Sequence, residues 1–309
     1  MASGAKKSKT VTSYKAFDHD LYCRGFQYEV GKTYKVEGKI VACENGFHAC
    51  ENPLDVWGYY PIIDVNGKLT RYAEVEQSGE QDDNGDKIAS AEITIKAELT
   101  LPDFIKRAVT RIIDLTKGKN DKDVIGSSGD GARIGSSGYG ARIGSSGDGA
   151  RIGSSGDGAQ IGSSGDGARI GSSGDGARIG SSGDGAQIGS SGYGARIGSS
   201  GYGARIGSSG YGARIGSSGD GARIGSSGNG ARIGSSGYGA RIGSSGKDAV
   251  IASAGINVTA SGEVGTWISL AEFDDNYKCV GFATGCIGKD GLKPNTPYRA
   301  KNGKLVEAN

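Results

Sequence analysis

Apolar positions along this chain follow three different rhythms. Between Val124 and Gly262 isoleucine returns every ninth residue, at Ile125, Ile134, Ile143 and on to Ile242 and Ile251. From Ile134 to Ile251 an alanine precedes each by two, as in Ala132-Arg133-Ile134. A spacing of two puts Ala and Ile on one face of a strand and the intervening Arg or Gln on the other. The unit reads I-G-S-S-G-(D/Y/N)-G-A-(R/Q), with fourteen consecutive I-G-S-S-G segments before Ile251-Ala-Ser-Ala-Gly255. A Gly/Ser linker has no use for isoleucine in phase. Units that bury an apolar face only by stacking on their neighbours follow the logic of a solenoid. Nine residues make one short strand and one tight turn, so two units predict a flattened coil of eighteen. Fourteen units predict about seven coils and, at ~4.8 Å per coil, a rod about 35 Å long. The G-(D/Y/N)-G triplet supplies the turn. One serine of each pair points inward, where its hydroxyl needs a hydrogen bond.

The flanks have other patterns. Residues 14–100 read as a small α+β domain, with strands at Tyr14–Phe17, Gly25–Val30, Thr33–Val36, Arg71–Gln77 and Ile88–Leu99. A short helix is expected from the cap Asn52 and Pro53 to about Tyr60. The charged run Glu80–Asp86 reads as a hairpin tip. In 101–123, Leu101–Thr116 predicts a helix with Pro102 in its first turn. Its apolar stripe is Ile105, Ala108, Val109, Ile112 and Leu115, with Lys106, Arg107 and Arg111 outward. An open solenoid end resembles a sheet edge and needs covering, so this helix is expected to cap the rod. Residues 263–309 predict a β-meander cap with strands in Thr266–Phe273, Lys278–Ile287 and Tyr298–Val306 and a turn at Asp274–Asn276. Trp267 is expected to pack inside it. Residues 1–13 read as a disordered tail. The fold class is therefore mainly β: a central parallel β-solenoid over 124–262, two repeats per coil, between an α+β domain and a β cap.

Composition sharpens this division. Of 309 residues 59 are glycine and only 7% are aromatic, which excludes one large conventional core. The bulky residues cluster in 14–115 and 264–306 instead. A net charge of +2 forces no conclusion about nucleic acid. No apolar run follows the lysines of MASGAKKSKT and no stretch approaches 18 apolar residues, so neither a signal peptide nor a membrane span is expected. The five cysteines are an odd number, read as reduced thiols in a cytoplasmic protein.

Candidate chemistry is sparse. Calcium is unsuited, because the acidic place of the repeat is tyrosine at 139, 193, 202, 211 and 238, and a phenol cannot replace a calcium carboxylate. Cys23, Cys43, His48 and Cys50 lack the spacing of a paired metal site, and every GxG belongs to the repeat and not to a phosphate loop. No metal, cofactor or catalytic residue is assigned. Stacking instead turns outer residues into columns. The place before isoleucine is Arg at eleven of thirteen positions from 133 to 241, with Gln160 and Gln187 as exceptions. Neighbouring guanidiniums repel by about 1 kcal/mol even in water. Aspartates such as Asp148, Asp157 and Asp166 are expected to offset this in one half of the rod. In the other half Tyr193, Tyr202 and Tyr211 alternate with Arg196, Arg205 and Arg214. These six are the candidate binding residues, since Arg and Tyr are enriched at interaction hot spots. A protein partner, from a host or a second copy of the chain, is expected. Nucleic acid on the Arg/Tyr ladder is the alternative.

Three segments carry a resemblance. Tyr14-Lys-Ala-Phe17, Cys23-Arg-Gly-Phe-Gln-Tyr-Glu-Val-Gly-Lys-Thr-Tyr34 and Glu44-Asn-Gly-Phe-His-Ala-Cys-Glu-Asn-Pro-Leu-Asp-Val-Trp-Gly-Tyr-Tyr60 resemble an uncharacterised family of bacteriophage and prophage proteins. Its members also carry nonapeptide repeats and a C-terminal segment like Lys289–Tyr298. That resemblance implies a phage or prophage origin and a role upon host machinery, while the regular ladders and the lack of a convergent catalytic set point to a non-enzymatic interaction protein, its rod a rigid spacer or decoy surface. Gly46–Tyr60 also resembles the nicotinamide-pocket segment of ADP-ribosyltransferases, which implies, as the alternative, an NAD-using enzyme with Glu74, Glu76 or Glu92 as its catalytic acid.

Overall fold

A computed structural model describes residues 10–18, 20–62, 70–116 and 124–308. The expected tail up to residue 9 and the linker 117–123 lie outside the described residues, as does the side chain of Leu115. Strand makes up 47% of the chain and helix 6%, so the fold is mainly β. Two compact units divide it: Met1–Tyr60 with Thr70–Phe104, and Pro61–Leu69 with Ile105–Asn309.

In the second unit the repeats stack as a parallel solenoid of about eight turns. Arg142–Ser145 pairs with Val124–Ser127 on one side and Gln160–Ser163 on the other, residue for residue and eighteen apart. Alternate repeats therefore build two separate sheets. The first face begins at Val124–Ser127, and the second at Arg133–Ser136. The isoleucines and the alanines from Ala141 onward are buried between the sheets, as are the first serines of each pair from Ser136 onward. The turns require glycine twice. Gly194 has φ +64°, which L side chains rarely adopt, and a Cβ on Gly192 would fall on the carbonyl oxygen of Gly174 one coil away.

The rod makes about eight turns against the seven expected from its fourteen units, and its last strand, Trp267–Phe273, lies beyond the expected bound at 262. Val250–Ser253, Thr259–Gly262 and Trp267–Phe273 stay parallel and in register with the coil before them, although their wording has left the repeat. Each sheet then ends by reversing direction. Cys279–Cys286 runs antiparallel to Trp267–Phe273, and Tyr298–Lys301 antiparallel to Thr259–Gly262. The expected strand Tyr298–Val306 is a hairpin, because Asn302 and Gly303 take positive φ. Both turn N–H groups donate to the Glu272 carboxylate, at 2.6 and 2.7 Å, tying the second sheet to the first.

The helix spans Leu101–Thr116 as the sequence indicates. From Ile105 onward it belongs to the second unit. Val109 and Ile112 lie against Gly153 in the second face, where a Cβ would meet Ile112 at 3.1 Å. The apolar stripe has found a glycine-floored flank of the second sheet.

The first unit is an antiparallel sheet in the order Val11–Phe17, Arg71–Asp83, Ile88–Leu99, Thr33–Lys35, with Phe47–Ala49 also paired to Ile88–Leu99. Its first strand starts at Val11, inside the region read as tail. The long hairpin carries Glu80–Asp83 within a strand, leaving only 84–87 as its tip. The expected strand Gly25–Val30 shrinks to Phe26–Gln27, because Arg24 and Gly25 adopt positive φ and fold it back on Tyr22–Cys23. The helix after Asn52 ends at Val56; Asn52 Oδ1 accepts from the Leu54 N–H at 3.3 Å. Gly58 and the Tyr60-Pro61 pair disfavour further helix. Phe17, Tyr28, Val75, Ile93 and Ile95 form this unit's core.

Candidate functional site

An eighteen-residue pitch sorts the six candidate residues into separate groups. Arg196 and Arg214 are neighbours on the first face, whereas Arg205 lies on the second between Gln187 and Arg223. Tyr193 and Tyr211 stack at one edge of the rod, ring centres 5.3 Å apart and planes 11° apart. Tyr202 sits at the opposite edge, where its N–H donates to Asp184 Oδ1 at 2.7 Å. The six therefore do not share one surface: an odd number of repeats between two residues puts them on opposite sides.

The aspartates also serve another purpose than the one expected. Each takes a backbone N–H from the next coil at the same edge. The Asp166 N–H donates to Asp148 Oδ1 at 2.9 Å, and the Tyr193 N–H to Asp175 Oδ1 at 2.7 Å. Asn229 does the same for the Lys247 N–H. They close the turn ladder and do not neutralise the arginine columns.

What distinguishes the faces is exposure. On the second face Arg151, Arg169, Arg205 and Arg223 are half-buried, Gln187 is 6% exposed, and the strand glycines are buried. Burial, together with the neighbouring charge of Arg223, holds the Arg205 guanidinium below its ordinary range. On the first face Arg142, Arg178, Arg196, Arg214 and Arg232 are exposed in one column, interrupted by Gln160. None of these five pairs with a carboxylate among the described residues. Beside them runs a floor of exposed glycines and then a column of serines from Ser146 to Ser236. Two shallow grooves follow this face, of about 1110 and 1190 Å³. The arginine column ends at Val250 and Trp267. Trp267, expected to be a packing residue, is 50% exposed because the strand that carries it continues the rod and its position is an outward one. Phe282, on the next strand, borders the serine groove and is also exposed.

Inside the first unit, Gly46–Tyr60 contributes to a cavity of about 290 Å³. Glu74, Glu76 and Glu92 do not line it; Glu76 pairs with Lys96 and Glu92 with Lys35. The acid at its wall is Glu44. His48 Nε2 accepts from the Cys43 N–H at 2.9 Å and staples the intervening loop. Burial first, then Lys15, Lys87 and Arg24, keep this imidazole below its usual pKa. No cluster of three or more His, Cys, Asp or Glu suited to a metal occurs among the described residues.

Residues 11–107 match the family model of a domain of unknown function, DUF7666. That stretch takes in the N-terminal sheet and its cavity, and stops before the rod. No curated protein and no solved structure matches the chain. No helix among the described residues is long and apolar enough to cross a membrane.

Proposed function

We propose that the protein is a non-enzymatic interaction protein whose rod presents its first face to an acidic protein surface. The unpaired arginine column is the observation that carries this reading. Arg178, Arg196, Arg214 and Arg232 occupy four successive rungs with no carboxylate paired to them among the described residues, each repelling the next by about 1 kcal/mol. An acidic partner relieves that repulsion. Trp267 and Phe282 at the end of the column supply the aromatic anchor on which such interfaces concentrate their energy. A rigid scaffold also lowers the ordering cost of binding. The likeness of the N-terminal segments to phage and prophage proteins supports a partner in the host cell and hence a cytoplasmic site of action.

A polyanion is the second reading, favoured by the same column. Salt separates the two, because a partner held by several phosphates loses affinity steeply as salt rises. The test is capture from host lysate by the intact chain and by an Arg178→Glu, Arg196→Glu, Arg214→Glu variant. A stoichiometric protein partner, retained at moderate salt by the former and lost by the latter, is expected. Equal capture by both forms overturns the reading. Capture of nucleic acid alone, abolished by moderate salt, replaces it with the second. Light scattering of both forms shows whether the partner is another copy of the chain.

A further inference from the structure

The N-terminal cavity contains a cation that the fold itself does not neutralise. Lys15, on the first strand, is only 6% exposed. Its ammonium donates to the His48 carbonyl at 3.0 Å, and the rings of Tyr28 and Phe17 lie 5.5 and 5.7 Å away. Ring faces attract a cation modestly, but no carboxylate pairs with Lys15 among the described residues. Burying an ammonium with one neutral acceptor is costly, and folds normally avoid it. Arg24 and Lys87 line the same cavity, against one acid, the exposed Glu44. Arg24 is held there by a positive-φ backbone, and Lys87 lies 4.4 Å over the ring of Tyr59.

The rest of the wall is aromatic. Phe26, Phe47 and Tyr28 meet edge to face, with Phe26 and Tyr28 4.8 Å apart. Tyr59 and Tyr60 close the other side, tied by hydrogen bonds to Asp86 at 2.7 Å and to Cys23 Sγ at 2.8 Å. Three cations therefore converge on a space walled by flat rings. At about 290 Å³ it lies just below the usual span of ligand pockets and suits one small ligand that carries a flat ring and one anionic group.

From this geometry we infer that the N-terminal domain binds a nucleoside monophosphate, with the phosphate on Lys15, Arg24 and Lys87 and the base against the aromatic wall. The site lies within one compact unit and is independent of the rod's first face. Calorimetry of the full-length protein with AMP, GMP, CMP and UMP, and with adenosine and inorganic phosphate alone, tests it. At least one nucleotide is expected to bind tenfold or more tightly than both adenosine and phosphate. Lys15→Met should abolish that binding while the melting temperature holds or rises, since it removes an unpaired buried charge. Arg24→Gln, at an exposed position, should weaken it severalfold without touching the core. Triple arginine reversal on the rod should leave it unchanged, so failure here is distinct from failure of the proposed interface. Absence of binding by all four nucleotides up to millimolar concentration overturns the inference. So does binding that survives Lys15→Met and Arg24→Gln, or phosphate binding as tightly as every nucleotide.

Discussion

The rod and the N-terminal domain make opposite uses of position. In the rod each residue type recurs at a fixed pitch, so most side chains face a copy of themselves and chemistry spreads out as columns. In the N-terminal domain each position is unique, and Lys15, Arg24 and Lys87 meet from separate segments around one cavity. A periodic sequence announces its fold but cannot gather different groups at a point. An aperiodic one does the reverse. Collective binding along a face therefore belongs to the rod and convergent recognition to the domain.

Interchangeability is the sharpest consequence. Ile188, Ile206 and Ile224 have identical, fully buried surroundings on the second face. Replacing any one by alanine should cost about 2–5 kcal/mol, with the three values alike. Chemical denaturation checks this, and clearly unequal costs would show that the rungs are not equivalent. Next in size comes Gly192→Ala, whose Cβ must displace the Gly174 carbonyl. A loss of about 1–3 kcal/mol is expected, whereas Gly198→Ala on the open first face, where a Cβ meets nothing within 4 Å, should do far less.

A smaller effect separates the two regions by pH. The folded domain holds the His48 pKa below its ordinary 6.5. Above that pH the imidazole is neutral in both states and the domain keeps its full stability. As pH falls below it the unfolded chain takes up the proton first, so stability is lost. Trp57, buried in the domain, reports this by fluorescence once Trp267 is replaced by Phe. His48→Gln should flatten the dependence. Smallest of all is Ser208→Ala. This inner hydroxyl is fully buried and without a hydrogen-bond partner, like Ser190 and Ser172. Its removal should shift stability by less than about 0.5 kcal/mol or raise it, because an unmet hydroxyl contributes nothing when buried.

Much of the rod was legible because isoleucine and alanine in phase admit one stacking solution. Its last strand, Trp267–Phe273, was not, since its wording has left the repeat while it keeps the inward Ile268 and Leu270 that stacking needs. Which residues share a face depends on the parity of the repeat, and Tyr193, Tyr202 and Tyr211 look like a run until the coil divides them. The difference in exposure between faces left no trace in the sequence, because the repeats on both read alike. Ile88–Leu99 and the helix Leu101–Thr116 were legible from their patterns, but the helix's place against Gly153 is a tertiary match. Lys15 gave no signal either: a lysine in Tyr14-Lys-Ala-Phe17 reads as a solvated strand position until the fold closes over it.

Everything assigned to the columns rests on the eighteen-residue coil. Mild photo-oxidation of the native protein should join the stacked rings of Tyr193 and Tyr211, 5.3 Å apart, and the resulting dityrosine emission should survive Tyr202→Phe but drop with Tyr211→Phe. Emission lost with Tyr202→Phe and kept with Tyr211→Phe would mean a nine-residue coil and would contradict the architecture.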